Sequence, residues 1–582
     1  MVAWAPYPRS DAARIPRAMR SKPADSTMAR WLGALPWLAC LAGAAQLVVS
    51  GFPEGHDWQY EILRVSEYRA ALAAGQLPPY WSENLYGGYG SPVFLFYAPL
   101  YSALGSLASW ALASVPRGAT FVLVLFSALS VPFMRLFLDS LLERLGISQP
   151  AAARVGVVFW VLHPYLLGDK LVRNADAEYL ALCLVPVALA GVALAGRAPR
   201  RAFALISGGL ALVVLAHNLT ALVAVTFTIG LALVLYGRAT AATWGVTLGG
   251  IAAALALSAF FWLPALSLTH LIRPEELLRG KFDYRQQFPP LSKIFWYVRF
   301  FATGLATPAV LLAALAAAVR FPAQRRFLVS LLAAALGLLF LLTPWSSAIW
   351  AAVPWLPLFQ FPWRMMGPVA LVASALLAVI AALALARRPE VTRVRAELAL
   401  GAALFLNAVP ILLQYEPMRS GEAQLESLVH PEVVRNSSEG VTALDEYLPR
   451  ASDLAVWRTQ RPLDGPVVAA SGPARWETRV DTGTRIELTT HSAEPVRLRL
   501  ARFVFPGWRV EVNGAPAAWA PSRWGTLEVE VPAGDALVRA ELEPPPVRRA
   551  ALWLSGAALA AWLAGLWLAS RRARASIASG RS

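Results

Sequence analysis

The tripeptide Gly55-His56-Asp57 directly follows the apolar stretch 31–50, and Glu61, Arg64 and Glu67 come after it at helical spacing. A carboxylate held at a membrane boundary can act as a general base toward a hydroxyl, or ligate a divalent cation such as Mg or Mn. Asp57, with His56 beside it, is therefore a catalytic candidate; the other reading is that Asp57 caps the helix that follows. A second cluster runs Asp169, Lys170, Arg173, Asn174, Asp176 and Glu178. Asp176 and Glu178 have the D-x-E spacing of a metal or acid/base pair. Lys170 and Arg173 suit an anionic phosphate. An ordinary solvated loop with carboxylates at a helix start is the plainer reading of the same residues. His217 and Asn218 interrupt a long apolar run and would sit at the tip of a hairpin, bound to a ligand or hydrogen-bonded between helices. Arg364, in Phe361-Pro362-Trp363-Arg364, suits a lipid phosphate at headgroup level, or simple interfacial anchoring. The loop 265–300 carries enough charged side chains to cover a substrate, or to be merely solvated.

These residues need a frame. The chain has 582 residues, of which 57% are hydrophobic and only 15% charged, and its mean hydropathy is +0.51. Soluble domains run at about 25% charged, so a soluble enzyme is excluded. Apolar blocks near 31–50, 155–168, 178–196, 203–217, 219–236, 243–263, 303–319, 327–343, 365–386, 396–414 and 551–570 predict a polytopic α-helical membrane protein of about 12 spans. One of those spans comes from 92–139, together with a re-entrant or interfacial segment around 92–112. Basic clusters at 197–201, 238, 320–326, 387–395 and 571–574 fall at every second gap, which assigns those gaps and both termini to the cytoplasm. The net charge of +16 is thus a topological address, and no nucleic acid is expected as a partner. Cys40 and Cys183 both lie in apolar blocks, leaving no disulfide framework. No P-loop, dinucleotide fingerprint, nucleophile elbow or H-E-x-x-H motif is present.

The expected organisation is a disordered cytoplasmic tail (1–30), a multi-span domain (31–414) with a first outer loop (51–92), and an extracytoplasmic domain (415–550). A last span (551–570) and a basic tail (571–582) follow. Within 51–92, residues Trp58 to Ala74 read as a helix lying along the membrane surface. From about 476 the pattern has period two, and Asn513-Gly514 marks a tight hairpin, so the second half of the outer domain is predicted to be a small β-sandwich. Its Trp508, Trp519 and Trp524 could receive a glycan, or the domain could simply cap the outer face.

The order of these motifs resembles a family. Gly-His-Asp in the first outer loop leads to "YGGYGSPVFLFYAPLY", followed by "RNADAEYLAL", "AHNLTAL", "FWLPAL", "FPWRMM", "EYLP" and "FVFPGWRVEVNG". In this order they are similar to the bacterial YfhO-like and "6-pyruvoyl-tetrahydropterin synthase-related" membrane proteins, from about residue 31 to 570. The soluble synthase behind the second label needs a zinc triad of histidines and a thiol nucleophile, which the scattered histidines and membrane-embedded cysteines here do not supply. Both groups resemble the GT-C superfamily of membrane glycosyltransferases. That resemblance implies a polyprenyl-phosphate-linked sugar donor, a glycan, polymer or protein acceptor of the cell envelope, and an active site facing outward from the bacterial inner membrane. It implies the catalytic or metal-binding carboxylate at Asp57, and further metal ligands at Asp176 and Glu178 in the members that use a metal. The competing readings are a transporter or flippase for a lipid-linked precursor, and an assembly scaffold. A transporter would place its charges near the middle of the bilayer and show paired repeats; here the polar clusters lie at the ends of the spans.

Overall fold

The computed structural model describes residues 26–237, 241–293, 304–386, 388–417, 421–436, 442, 444–453 and 465–578. Most of the expected N-terminal tail, the last residues of the basic tail, and Arg238 and Arg387 lie outside them. Among the described residues, ten helices are long and apolar enough to cross a membrane. An eleventh forms if Ala241–Leu257 and Ala259–Leu271, bent by 73°, count as one. The difference from the expected twelve is local. The block at 303–319 is realised as Ala306–Arg320, a shorter apolar helix. In the ambiguous stretch, Val115–Arg144 makes the crossing and Leu100–Leu112 is the short companion.

Two of the expected elements take a different form. The block 155–168 does not end in a loop. Its helix runs on through Pro164–Gly168 into a π-helical turn, Asp169–Arg173, and Asn174 then turns the chain with φ 56°. The second polar cluster is therefore buried helix, not solvated loop. Trp58–Ala73 is indeed a helix, but every residue from Glu61 to Tyr68 is buried. Its charged side chains find partners inside the protein: Glu61 pairs with Arg64. Glu67 accepts hydrogen bonds from Ser82 Oγ (2.5 Å) and from the Asn84 side chain (3.0 Å). Buried charges need such partners, and with them the helix can be enclosed rather than wet on one face.

The β domain forms two antiparallel sheets. The strands are β1 (Val467–Ala470), β2 (Ala474–Thr482), β3 (Arg485–Ser492), β4 (Val496–Phe503), β5 (Trp508–Val512), β6 (Ala515–Pro516), β7 (Trp519–Pro521), β8 (Thr526–Val531) and β9 (Gly534–Leu542). One sheet has the order β1-β4-β8-β7 and the other β2-β3-β9-β5-β6. Alternate residues point inward, among them Ile486, Leu488, Leu498, Leu500, Val529, Val538 and Ala540, as period-two patterning requires. Val512 pairs with Ala515 across Asn513-Gly514, both with positive φ, which is the two-residue turn that favours this dipeptide.

The core of this domain is not its own alone. The first connecting segment, Trp81 to Phe96, packs into the same hydrophobic cluster as the strands. Trp81 packs beside Phe505 and Trp508, Tyr89 stacks on Phe503 at 5.1 Å, and Tyr80 Oη donates to the Leu542 carbonyl at 2.7 Å. Arg502 donates to the Gly88 carbonyl at 3.1 Å. The glycine-rich run 86–90 is thus a docking surface between the helix bundle and the sandwich.

Candidate active site

The two polar clusters, more than a hundred residues apart in sequence, are joined by their backbones. His56 N–H donates to the Val172 carbonyl (3.1 Å), and Asp57 N–H to the Arg173 carbonyl (2.9 Å). Gly55 N–H donates to Asn174 Oδ1 (2.8 Å). Only glycine fits at 55, because a Cβ there would lie 2.1 Å from Asn174 Oδ1 and 2.4 Å from the Val172 carbonyl oxygen. This seam places Asp57 at the start of the helix Trp58–Ala73. Its side chain makes no capping hydrogen bond and is exposed, so the capping reading is not the one realised.

Asp57 and His56 stand on the wall of a cavity of about 490 Å3 that also receives Arg173, Glu178, His217 and Arg364. At the buried end Glu178 is fully engaged. Tyr165 Oη donates to its Oε1 at 2.5 Å, while Arg173 Nη2 and Arg364 Nε lie 3.4 and 3.3 Å from its Oε2. Arg173 also pairs with buried Asp169 and packs over the Trp363 ring at 4.3 Å. Arg364 donates to the Phe359 carbonyl at 3.1 Å and lies over the Phe361 ring. Aromatic faces and carboxylates together fix both guanidiniums in one place. A narrower recess continues from Glu178, His217 and Arg364 between Leu182, Leu219, Val223 and Pro368, all of them apolar side chains of membrane-length helices.

Three sequence candidates sit elsewhere. Lys170 does not reach the cavity: its Nζ donates to Ser127 Oγ at 3.0 Å inside the bundle. The π-helical turn is the reason, because its wider winding separates Lys170 from Arg173, which a regular helix would place on one face. Asn218 ties its helix to the Phe96 carbonyl at 3.3 Å. Asp176 is fully buried, while its neighbours Ala175 and Ala177 line the cavity in its stead. His217 does line the cavity, and its ring also caps the helix Asn218–Tyr236 by accepting from Thr220 N–H.

The expected metal set is accordingly split. Among the described residues no three His, Cys, Asp or Glu side chains come together as ligands. Glu178 already carries two guanidiniums and a tyrosine. These donors do not fit a divalent cation. Two of the three tryptophans proposed for glycan contact are also engaged: Trp508 is in the core, and Arg499 and Arg523 pack over the Trp524 ring at 3.6 and 4.0 Å.

Several cavity residues were given no role from sequence. Glu61, one helical turn beyond Asp57, is 2% exposed. One of its oxygens pairs with Arg64, and the other is buried with no hydrogen-bond partner among the described residues. Burial pushes its carboxyl up to about 7, against the pull of Arg64 and with a further push from Asp57. Arg64 is held over the Tyr97 ring at 4.1 Å. Glu446 arrives from the segment before the sandwich. Thr442 Oγ1 donates to its Oε2 at 2.7 Å, and its carbonyl accepts from Arg273 N–H at 3.0 Å. The i, i+4 spacing of Asp57 and Glu61 was a readable signal; for Glu446 the signal was its place in the "EYLP" motif, and its position in the cavity is set by the long-range fold.

No family model matches the chain, and no curated protein does. Among solved structures it is similar to the arabinofuranosyltransferase AftD from Mycobacteria, with 20% identity, 67% of this chain covered and a TM-score of 0.45. The chain spans 27% of that protein's length. It is also similar to the Archaeoglobus fulgidus oligosaccharyltransferase in complex with Zn and sulfate (15% identity, 67% of this chain, 53% of that one, TM-score 0.39). A third likeness is to ArnT from Cupriavidus metallidurans bound to undecaprenyl phosphate (11% identity, 71% of this chain, 79% of that one, TM-score 0.38).

Proposed function

We propose that the protein is a membrane glycosyltransferase that moves a sugar from a polyprenyl-phosphate-linked donor to a hydroxyl of a cell-envelope acceptor, on the extracytoplasmic face. The observation that carries this reading is the polarity of the cavity. Two fixed guanidiniums, Arg173 and Arg364, stand at its buried end beside an apolar recess, and an uncapped carboxylate, Asp57, stands at its exposed wall. The volume lies within the usual range for small-molecule sites. In this reading the lipid phosphate rests against the arginines. The acceptor oxygen attacks the anomeric carbon from the side of Asp57, which takes the hydroxyl proton onto its carboxylate as general base. The new C–O bond forms as the bond to the phosphate breaks. The departing electron pair goes to the phosphate, where the guanidiniums stabilise it without reorganising.

Asp57→Asn tests this. In purified protein with a panel of undecaprenyl-phosphate-linked hexoses and pentoses, transfer to alkyl glycosides should fall on the order of 100-fold, with thermal stability unchanged because the side chain is exposed. Undiminished transfer would remove Asp57 from the mechanism. Flipping of the lipid-linked sugar without transfer would favour the transporter reading.

A further inference from the structure

The lining of the cavity includes three carboxylates besides Glu178. Asp57 and Glu61 come from the helix Trp58–Ala73, and Glu446 from a segment nearly four hundred residues later. Glu61 and Glu446 are 2% and 4% exposed. The cation among them, Arg64, is already committed to Glu61 and to the Tyr97 ring. One oxygen of Glu61 is buried without a hydrogen-bond partner among the described residues, and Thr442 holds one oxygen of Glu446. The cation at the opposite wall, Lys281, lies on the loop beside Phe282, which packs against Phe361 and so belongs to the guanidinium end.

Carboxylates on a cavity wall are acceptors, met by ligand groups that donate hydrogen bonds. A phosphate or carboxylate at the same place would add like charge in a poorly solvated wall. Resting on the transferase reading, we infer that Glu446, with Asp57 and Glu61, forms an acceptor subsite selective for donor-rich groups, vicinal hydroxyls or an ammonium, and against anionic ones. The acceptor is then a neutral or amino sugar. Glu446 is the specificity residue of that subsite, supplied to the bundle by the extramembrane part of the chain. Burial raises the carboxyls of both Glu61 and Glu446 above the ordinary carboxylate range, which further favours a hydroxyl-rich partner that can meet either protonation state.

The test compares three acceptors with the wild-type protein, octyl glucoside, octyl glucosaminide and octyl glucuronide, each with the same panel of undecaprenyl-phosphate sugars. The glucoside or the glucosaminide should be used with a KM at least 10-fold below that of the glucuronide. Which of the two leads tells hydroxyl from ammonium recognition, and either supports the subsite. Glu446→Gln keeps the oxygen that Thr442 holds, and should narrow the discrimination against the glucuronide by 5-fold or more while the donor KM stays within 2-fold. A glucuronide used as well as the glucoside overturns the inference, as does an unchanged ratio in a folded Glu446→Gln protein. If the wild-type protein releases no polyprenyl phosphate with any donor and acceptor, the transferase reading itself falls, which is a separate outcome. The wild-type ranking needs no variant, so a misfolded mutant cannot shield the proposal.

Discussion

Glu178 and Glu61 are both buried glutamates on the wall of one cavity, yet they are built in opposite ways. Glu178 meets a tyrosine hydroxyl and two guanidiniums, and each guanidinium is fixed in turn by an aromatic ring. Glu61 has a single arginine and an oxygen with no hydrogen-bond partner among the described residues. A saturated carboxylate is part of the frame and holds its arginines where a leaving phosphate would need them. A half-satisfied one keeps capacity for a ligand. Titratable residues that share a cavity therefore need not share a role.

The sharpest way to break that contrast is Glu178→Gln. It removes the counter-charge of Arg364 and one of the two carboxylates that pair with Arg173, and should cost about 3–5 kcal/mol, read as a large drop in thermal midpoint in detergent. If stability holds, Glu178 is not a frame residue. At the other end the prediction concerns pH. A glutamate near 4.3 when unfolded and about 7 when folded binds its proton more tightly in the fold. Its contribution is full below about pH 4, declines as pH rises toward 7, and is gone above that. Stability should therefore fall across that window by on the order of 3–4 kcal/mol, and Glu61→Gln should flatten the slope. An unchanged slope would deny Glu61 its raised carboxyl.

Smaller effects sharpen the picture. Gly55→Ala forces the seam between the clusters apart and should cost about 1–3 kcal/mol. Donor turnover should fall with it, since Asp57 and Arg173 lose their register. Arg450→Ala removes an exposed bidentate pair with Glu275 (2.8 Å on both arms) and should change stability by no more than about 1 kcal/mol. Chelation with EDTA should leave transfer unchanged, because Glu178 is already occupied by cations of the chain itself. A strict metal requirement would contradict that assignment of its partners.

Much of this was legible in the sequence. Spans such as 219–236 and 365–386 and strands such as 508–512 and 527–531 follow from period and charge, and the structure places them within a few residues. The Asn513-Gly514 turn is local chemistry and was readable as such. What could not be read depends on long-range contact. Nothing local says that 169–173 winds as a π-helix and turns Lys170 away from the site. Nor does any periodicity show that Glu61 to Tyr68 is buried on all sides, because its charges find their partners in Arg64, Ser82 and Asn84. Glu446 joins the cavity only because its backbone is held by Arg273, across a gap in sequence that no motif spans.

The seam between Gly55-His56-Asp57 and Val172-Arg173-Asn174 is made mainly of peptide groups. Its geometry is therefore largely indifferent to which side chains the neighbouring positions carry. Positions 56 and 57, whose side chains are exposed, could change identity while the mount beneath them stays the same, so new specificities can be explored by substitution without rebuilding the scaffold. The two short segments form a natural cassette: moved together into another helical bundle they would carry their alignment with them, and moved singly they would not.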